Sequence, residues 1–445
     1  MTQGMGTEGP TIHCRRALVD GRFVDDVRIE VDADGRIAAL TRGLPSSSPL
    51  FLHPDANLQL GVVVPGFANT HSHLFHRALR GAVGGDDFWS WRQAMYRIAG
   101  RLEPDLYRRL AAAVFSEMVA AGYTSVAEFH YLHHRPDGRP YPHHDMEMAV
   151  AAGAAEAGIR LTLLDTCYLH SGLGDGSGTP LTPEQARFGD GSAAAWLERW
   201  YRLRDALARE YPQCRLGAAV HSVRALTPAE IAEAVAGLPD DVPLHVHVSE
   251  QPRENADCLA ATGLTPTGVL AQAEALSGRT TVVHATHLTD EDIALIAGSG
   301  TAVSLCPTTE ADLGDGIARV ADLAEAGIPL TTGTDEDVVT DPFAELRLLE
   351  STARLAGGRR GVLDAAALWQ AGAGRAQGDP GLRVGDPADL VEIDTSSARL
   401  AGTDPLTWPL TASADDVARV VVGGVLAPRA DAAGLRAVLA EIGES

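Results

Sequence analysis

Short apolar segments rich in β-branched residues recur along roughly 300 residues of this chain, each followed by a stretch of helical composition. That alternation constrains the fold more than any other feature of the sequence. The strand-like segments are TSVAEF, IRLTLLD, RLGAAVH, PLHVHVS, TTVVHA, TAVSLCP and IPLTTGTD. Between them lie DLYRRLAAAVFSEMVAAG, SAAAWLERWYRLRDALAREY and TPAEIAEAVAGL, with apolar residues at helical spacing. Strands that are apolar on both faces require covering helices on a parallel sheet. Adding the run LGVVVPGF ahead of them makes the count compatible with an eight-stranded barrel. A doubly wound sheet generates the same periodicity, so the count alone does not choose between the two.

The placement of chemically capable side chains favours the barrel. His71, His73, His221, His247, His284 and Asp335 fall at or just past the ends of different strand segments, and the strand ends of a barrel converge on one mouth. Outside this region the sequence changes character. Ala17 to Leu40 has D-G pairs between short alternating runs, the signature of an antiparallel unit, and a Ser/Pro-rich connection follows at 44–50. GLRVGDPADLVEIDTSSARLAG and VARVVVGGVLAP return to short strands before a final helical segment, AAGLRAVLAEIG. The expected organisation is a distorted (β/α)8 TIM barrel over 65–381, with a small flanking β-sandwich built from 1–64 and 382–445.

The formal charge of −23, from 59 acidic and 36 basic residues, disfavours nucleic acid or an anionic membrane as a partner. All the basic residues are arginines, since the sequence has no lysine. The five cysteines are scattered, with no C-x-x-C pair, which points to a reducing compartment and away from a thiolate zinc site. The first residues lack the basic-then-apolar order of a signal peptide, and no apolar run would span a bilayer. A cytoplasmic location is therefore expected.

His71 and His73 form an H-x-H pair, which in isolation is more often a surface or satisfied core feature than a metal site. PLHVHVSEQ adds His247, with His245 two residues before it and Glu250 just beyond; TTVVHATHLT adds His284, and IPLTTGTDED adds Asp335. Three histidines and an aspartate match a site for one divalent ion, zinc by ligand type. Such an ion acidifies a water molecule. Asp335 could also accept a proton, Glu250 could carry one to a departing amine, and His284 could stabilise developing charge. Each of these residues also has an ordinary structural explanation: a cap for Asp335, a helix start for Glu250, an internal hydrogen bond for His284. Cys306 has no evident His/Asp partnership, which makes it a poor nucleophile.

PGFANTHSH, LHVHVSEQ, VVHATHLT and TTGTD occur in the order found in the amidohydrolase superfamily, which this sequence resembles. More narrowly, NTHSHLFHRALRG, AEFHYLHH, AAVHSVRAL and CPTTEADLGDG resemble the N-formimidoylglutamate deiminases. The resemblance implies a mononuclear zinc hydrolase of histidine degradation that converts N-formimidoyl-L-glutamate to N-formyl-L-glutamate and ammonia, with no nucleotide cofactor, and it makes a homodimer an expectation. It implies His71, His73, His247 and Asp335 as ligands, Glu250 and His284 in proton transfer, and His221 beside the reacting group. Arg97, Arg224 and Tyr131 are expected on the substrate carboxylates, because guanidinium groups pair in plane with them. Without lysine, a binuclear site bridged by a carboxylated lysine cannot form. Two positions depart from the deiminase pattern: His76, also expected at the substrate, stands where Gln is usual, and Glu336-Asp337 stands where a smaller polar residue often follows the aspartate. A heterocycle or nucleobase deaminase is the alternative within enzymes, and a noncatalytic metal- or ligand-binding barrel is the alternative outside them.

Overall fold

The computed structural model describes residues 9–43, 57–81, 88–374, 380–428 and 430–444, so the Ser/Pro-rich connection at 44–50 lies outside the described residues. Four strands come first: β1 (Thr11–Val19), β2 (Arg22–Val31), β3 (Ile37–Arg42) and β4 (Leu58–Pro65). The first D-G pair makes the β1–β2 hairpin, in which Val19 pairs with Arg22 and both turn residues, Asp20 and Gly21, have φ above +40° (47° and 71°). That backbone twist matches the twist of the strands it joins. After the barrel come β13 (Leu390–Ile393), β14 (Val417–Val422) and β15 (Val425–Leu426), which complete one mixed sheet in the order β15-β14-β13-β4-β1-β2-β3.

The barrel strands are β5 (Phe67–Ser72), β6 (Tyr123–His130), β7 (Arg160–Cys167), β8 (Arg215–Ser222), β9 (Leu244–Val248), β10 (Thr280–His284), β11 (Ala302–Leu305) and β12 (Leu330–Thr332). Each is parallel to its sequence neighbour. β5 and β12 close the ring: the Thr334 and Asp335 amides both donate to the His71 carbonyl at 3.0 Å, and the His73 amide donates to the Asp335 carbonyl at 2.9 Å. Helices cover the outside, among them α1 (Phe88–Arg101), α2 (Pro104–Ala120), α3 (Asp145–Ala157) and α4 (Ala193–Glu210). The last helix, Ala432–Glu444, lies on α2, where Arg109 forks onto Glu441 at 2.7 and 2.9 Å.

One expectation needs correcting. The run LGVVVPGF reads as a single strand entering the barrel, but it belongs to two sheets. β4 pairs with β1 and β13 in the flanking sheet, and the barrel begins only at Phe67. Pro65 has no N–H to continue a ladder. At Gly66 a Cβ would lie 2.3 Å from Thr124 Oγ1, so only glycine lets the backbone pass this close to β6.

Candidate metal centre and active site

The predicted ligands leave the barrel where regular strand geometry ends. His71 is in β5 and His73 one residue past it, His247 is in β9, and Asp335 follows β12. His284 and Asp335 have φ of 68° and 48°, as does Ser249 at 51°, all in the left-handed region. Such backbone is costly for residues with a side chain and collects at functional sites. Here it turns consecutive side chains toward the mouth.

Nε2 of His247 lies 3.2 Å from Nε2 of His71 and 3.3 Å from Nε2 of His73, while Asp335 Oδ1 is 3.3 and 3.5 Å from the same two atoms of His71 and His73. The Nδ1–H of His73 donates to the Phe129 carbonyl and that of His247 to the His221 carbonyl, each at 2.9 Å. A carbonyl can only accept, so in the neutral rings Nε2 of both presents a lone pair. Burial, followed by the neighbouring histidines, holds the His71 and His247 rings well below the usual imidazole range, and the same causes bring His73 to about 3. Two acceptors 3.3 Å apart beside a carboxylate repel each other unless a cation lies between them. The four residues therefore fit a divalent ion, and the carbonyl partners fix the tautomer as in known histidine metal sites.

His284 Nε2 lies 3.9 Å from Asp335 Oδ2, and its Nδ1 lies 3.6 Å from Glu310 Oε1. Burial disfavours the charged ring, but Glu310, Glu250 and Asp335 outweigh it and raise His284 to about 10. Glu250 accepts from Arg224 Nη2 at 2.9 Å; burial pushes its carboxyl up, and Arg224 more than reverses that, so Glu250 is held below the usual carboxylate range. His245 is buried two residues before His247 in β9 and takes no part in the ligand cluster. Cys306 can be drawn with His284 and Asp335 as a ligand group, but burial pushes its thiol well up and keeps it protonated.

A cavity opens over this centre. His76, Tyr131, His221 and Arg224 all line it, and His76 Nε2 is 2.9 Å from the Tyr131 hydroxyl. Arg97 does not line it: it is exposed on α1, whereas Arg92, five residues earlier on the same helix, lines the cavity and donates to Tyr96 Oη at 2.6 Å. Arg92 and Glu310 are among the site residues that sequence reasoning missed. Arg92 lies in the same WRQAMYR segment as Arg97, and Glu310 lies in CPTTEADLGDG.

The two departures after Asp335 have separate fates. Asp337 does not line the cavity and takes a hydrogen bond from Thr334 Oγ1; burial raises its carboxyl to about 7. Glu336 lines the cavity, and burial, then Asp335 and Asp312, push it up to about 10.

A second cluster of similar composition lies behind the barrel wall, where His130, His133 and Glu147 come together. Both ring nitrogens of His133 face acceptors at 2.9 Å, the Thr166 carbonyl and Glu147 Oε1. Arg199 enters the same cluster, 3.1 Å from Glu147 Oε1 and 2.8 Å from Asp165 Oδ1.

The Amidohydrolase family profile matches residues 62–427. A formimidoylglutamate deiminase of Pseudomonas aeruginosa is 39% identical over 418 residues, covering 88% of each chain. An amidohydrolase from Brucella melitensis of solved structure superposes with a TM-score of 0.87 at 34% identity, over 97% of this chain and 99% of that one. A zinc-bound adenosine deaminase from Xanthomonas campestris shares the fold with a TM-score of 0.82 at 22% identity, over 98% of both chains.

Proposed function

The chain belongs to the amidohydrolase family and hydrolyses a carbon–nitrogen bond, and from that premise we propose that its substrate is N-formimidoyl-L-glutamate, converted to N-formyl-L-glutamate and ammonia in histidine degradation. The observation that carries this reading is the cavity itself: Arg92 and Arg224 stand in its wall, and the carboxyl groups of Asp335, Glu250 and Glu336 stand around the metal-type centre. A ligand that carries both carboxylates and an imidoyl nitrogen matches a cavity that presents both signs of charge. The 39% identity to a formimidoylglutamate deiminase supports it independently.

In this reading His71, His73, His247 and Asp335 hold one ion, zinc by the donor set. When bound, the ion supplies a water molecule acidified to near neutrality and polarises the imidoyl group. The remaining work belongs to the protein. Asp335 Oδ2 takes a proton from the attacking water, with His284 facing it to favour the ionised carboxylate. Glu250, kept ionised by Arg224, collects a proton and returns it to the departing nitrogen. His221, and His76 with its Tyr131 partner, face the imidoyl carbon and orient it. Arg92 and Arg224 pair with the carboxylates in the plane of the guanidinium. Residues 65–381 carry this machinery, with 1–64 and 382–445 flanking it in a cytoplasmic, homodimeric enzyme.

The cavity also has aromatic walls, Trp91, Tyr96, Tyr131, Tyr168 and Phe188, and these favour a second reading in which a heterocyclic amine is deaminated. Both readings are tested by supplying zinc-loaded protein with N-formimidoyl-L-glutamate and with a panel of aminopurines and aminopyrimidines. Ammonia release and identification of N-formylglutamate are expected with the first. Faster release from a ring amine would transfer the assignment. Arg92→Ala is expected to raise KM about tenfold or more, and Arg97→Ala to change it less than about twofold, as for a lost and an absent charge-assisted contact.

A further inference from the structure

Glu336 is 4% exposed, and both of its carboxyl oxygens are buried with no hydrogen-bond partner among the described residues. A buried carboxyl left in that state is expensive, and an unsatisfied polar group in a native structure calls for a reason. Here the backbone enforces the position. Asp335 and Asp337, on either side, both have left-handed φ (48° and 55°), and the Glu336 amide donates to Thr309 Oγ1 at 3.2 Å. The residue is pinned from three directions, with its side chain in the cavity wall beside the metal-type centre.

The arginines of the same cavity, Arg92 and Arg224, pair with Tyr96 and Glu250 instead. The missing partner is therefore an N–H donor carried by the ligand. A formimidoyl group is an amidine, protonated in neutral water, with N–H donors spread over a planar cation that pairs with a carboxylate in the way guanidinium does, and such a cation against Glu336 offsets the burial that disfavours its charged form.

Building on the reading above, we propose that Glu336 is a specificity-determining residue that receives the cationic imidoyl nitrogen of the substrate and selects cationic amidines over neutral amides and ring amines. The product of the assigned reaction keeps the glutamate carboxylates but replaces the amidinium with a neutral formamide. Selection by Glu336 would therefore also weaken product binding relative to substrate and speed product release.

Zinc-loaded wild type, Glu336→Gln and Glu336→Ser are compared in KM for N-formimidoyl-L-glutamate and in Ki for N-formyl-L-glutamate. Loss of a charge-assisted contact predicts a rise in KM of about tenfold or more, with Ki within about twofold and zinc content unchanged. A parallel change in both constants, or no change in either, overturns the inference. Competition between formamidinium and formamide, followed by ligand-observed NMR on the same proteins, keeps this result separate from the identity of the substrate. A preference for the cation in wild type that is lost in Glu336→Gln supports Glu336 even if N-formimidoylglutamate is not turned over. Equal binding of the two probes by wild type overturns it.

Discussion

Two histidine–carboxylate clusters stand on the two sides of the same barrel wall, and side-chain type alone would not separate them. At the mouth, His71, His73, His247 and Asp335 turn their donor atoms toward one another, and the outward Nδ1 atoms of His73 and His247 are occupied by carbonyls. Behind the wall, His130, His133 and Glu147 are equally close and equally buried, but there Arg199 already supplies the positive charge. Both nitrogens of His133 already have partners, the Glu147 carboxylate and the Thr166 carbonyl. The lesson is that a metal site is identified by where the lone pairs are left over. A buried cluster that carries its own cation is a brace.

The sharpest way to break this contrast is to remove a donor at the mouth. Asp335→Asn or His247→Ala is expected to cost about three orders of magnitude or more in turnover, since water activation is lost. Metal content by plasma emission should fall toward zero. Retention of both metal and activity would show that the mouth cluster is not the centre. The rear cluster should respond in the opposite sense. Arg199→Ala leaves Glu147, Asp165 and Asp190 buried without their partner, with an expected loss of about 3–5 kcal/mol in denaturant unfolding, and zinc per chain should stay unchanged. If Arg199→Ala lost metal as readily as it lost stability, the two clusters would be one coupled unit.

Metal stoichiometry sharpens the comparison further. One equivalent per chain is expected after saturation and desalting, and His130→Ala should not lower it. A second tightly held equivalent that disappears in His130→Ala would assign an ion to the rear cluster. The smallest expected effect is a pH dependence. Buried Glu147 and Asp190 are held below the usual carboxylate range, because the His130 and His133 contacts to Glu147, and the Arg199 contact to Asp190, outweigh burial. A depressed carboxylate contributes stability above its unfolded pKa of about 4 and loses it as pH falls through the lower folded value. Unfolding free energy should therefore decline below about pH 4.5 more gently in Asp190→Asn than in wild type.

Much of the mouth was legible because its ligands travel with short local signals. His247, His284 and Asp335 sit in or directly after β-branched runs, so recognising the strand also places the side chain at its end, and His71 and His73 stand out as an H-x-H pair. Arg97 shows where this fails. Arg92 and Arg97 are five residues apart on α1, a rotation of about 140° on an α-helix, so only one can face inward, and which one depends on how the whole helix docks. Glu310 was hidden for a similar reason: its segment reads as turns, and its approach to His284 depends on the helix Pro307–Leu313 that those turns introduce. The break at Pro65-Gly66 was invisible because β4 and β5 are both buried and share one apolar run. Of the rear cluster, His130 and His133 stand in AEFHYLHH, but Glu147 and Arg199 occupy ordinary positions on α3 and α4 and gave no sign that the four would meet.

The join between β5 and β12 would give a bound ion a second office. His71 and His73 stand on one lip of the seam and Asp335 on the other, with the His71 carbonyl stitched to the Asp335 amide. Some 260 residues of chain separate the two lips, and a ribosome must deliver all of them before the lips can touch. A nascent or clipped polypeptide thus offers histidines without their closing aspartate. Only the finished ring brings all four candidate ligands together, so an ion held there would be acquired after the barrel closes.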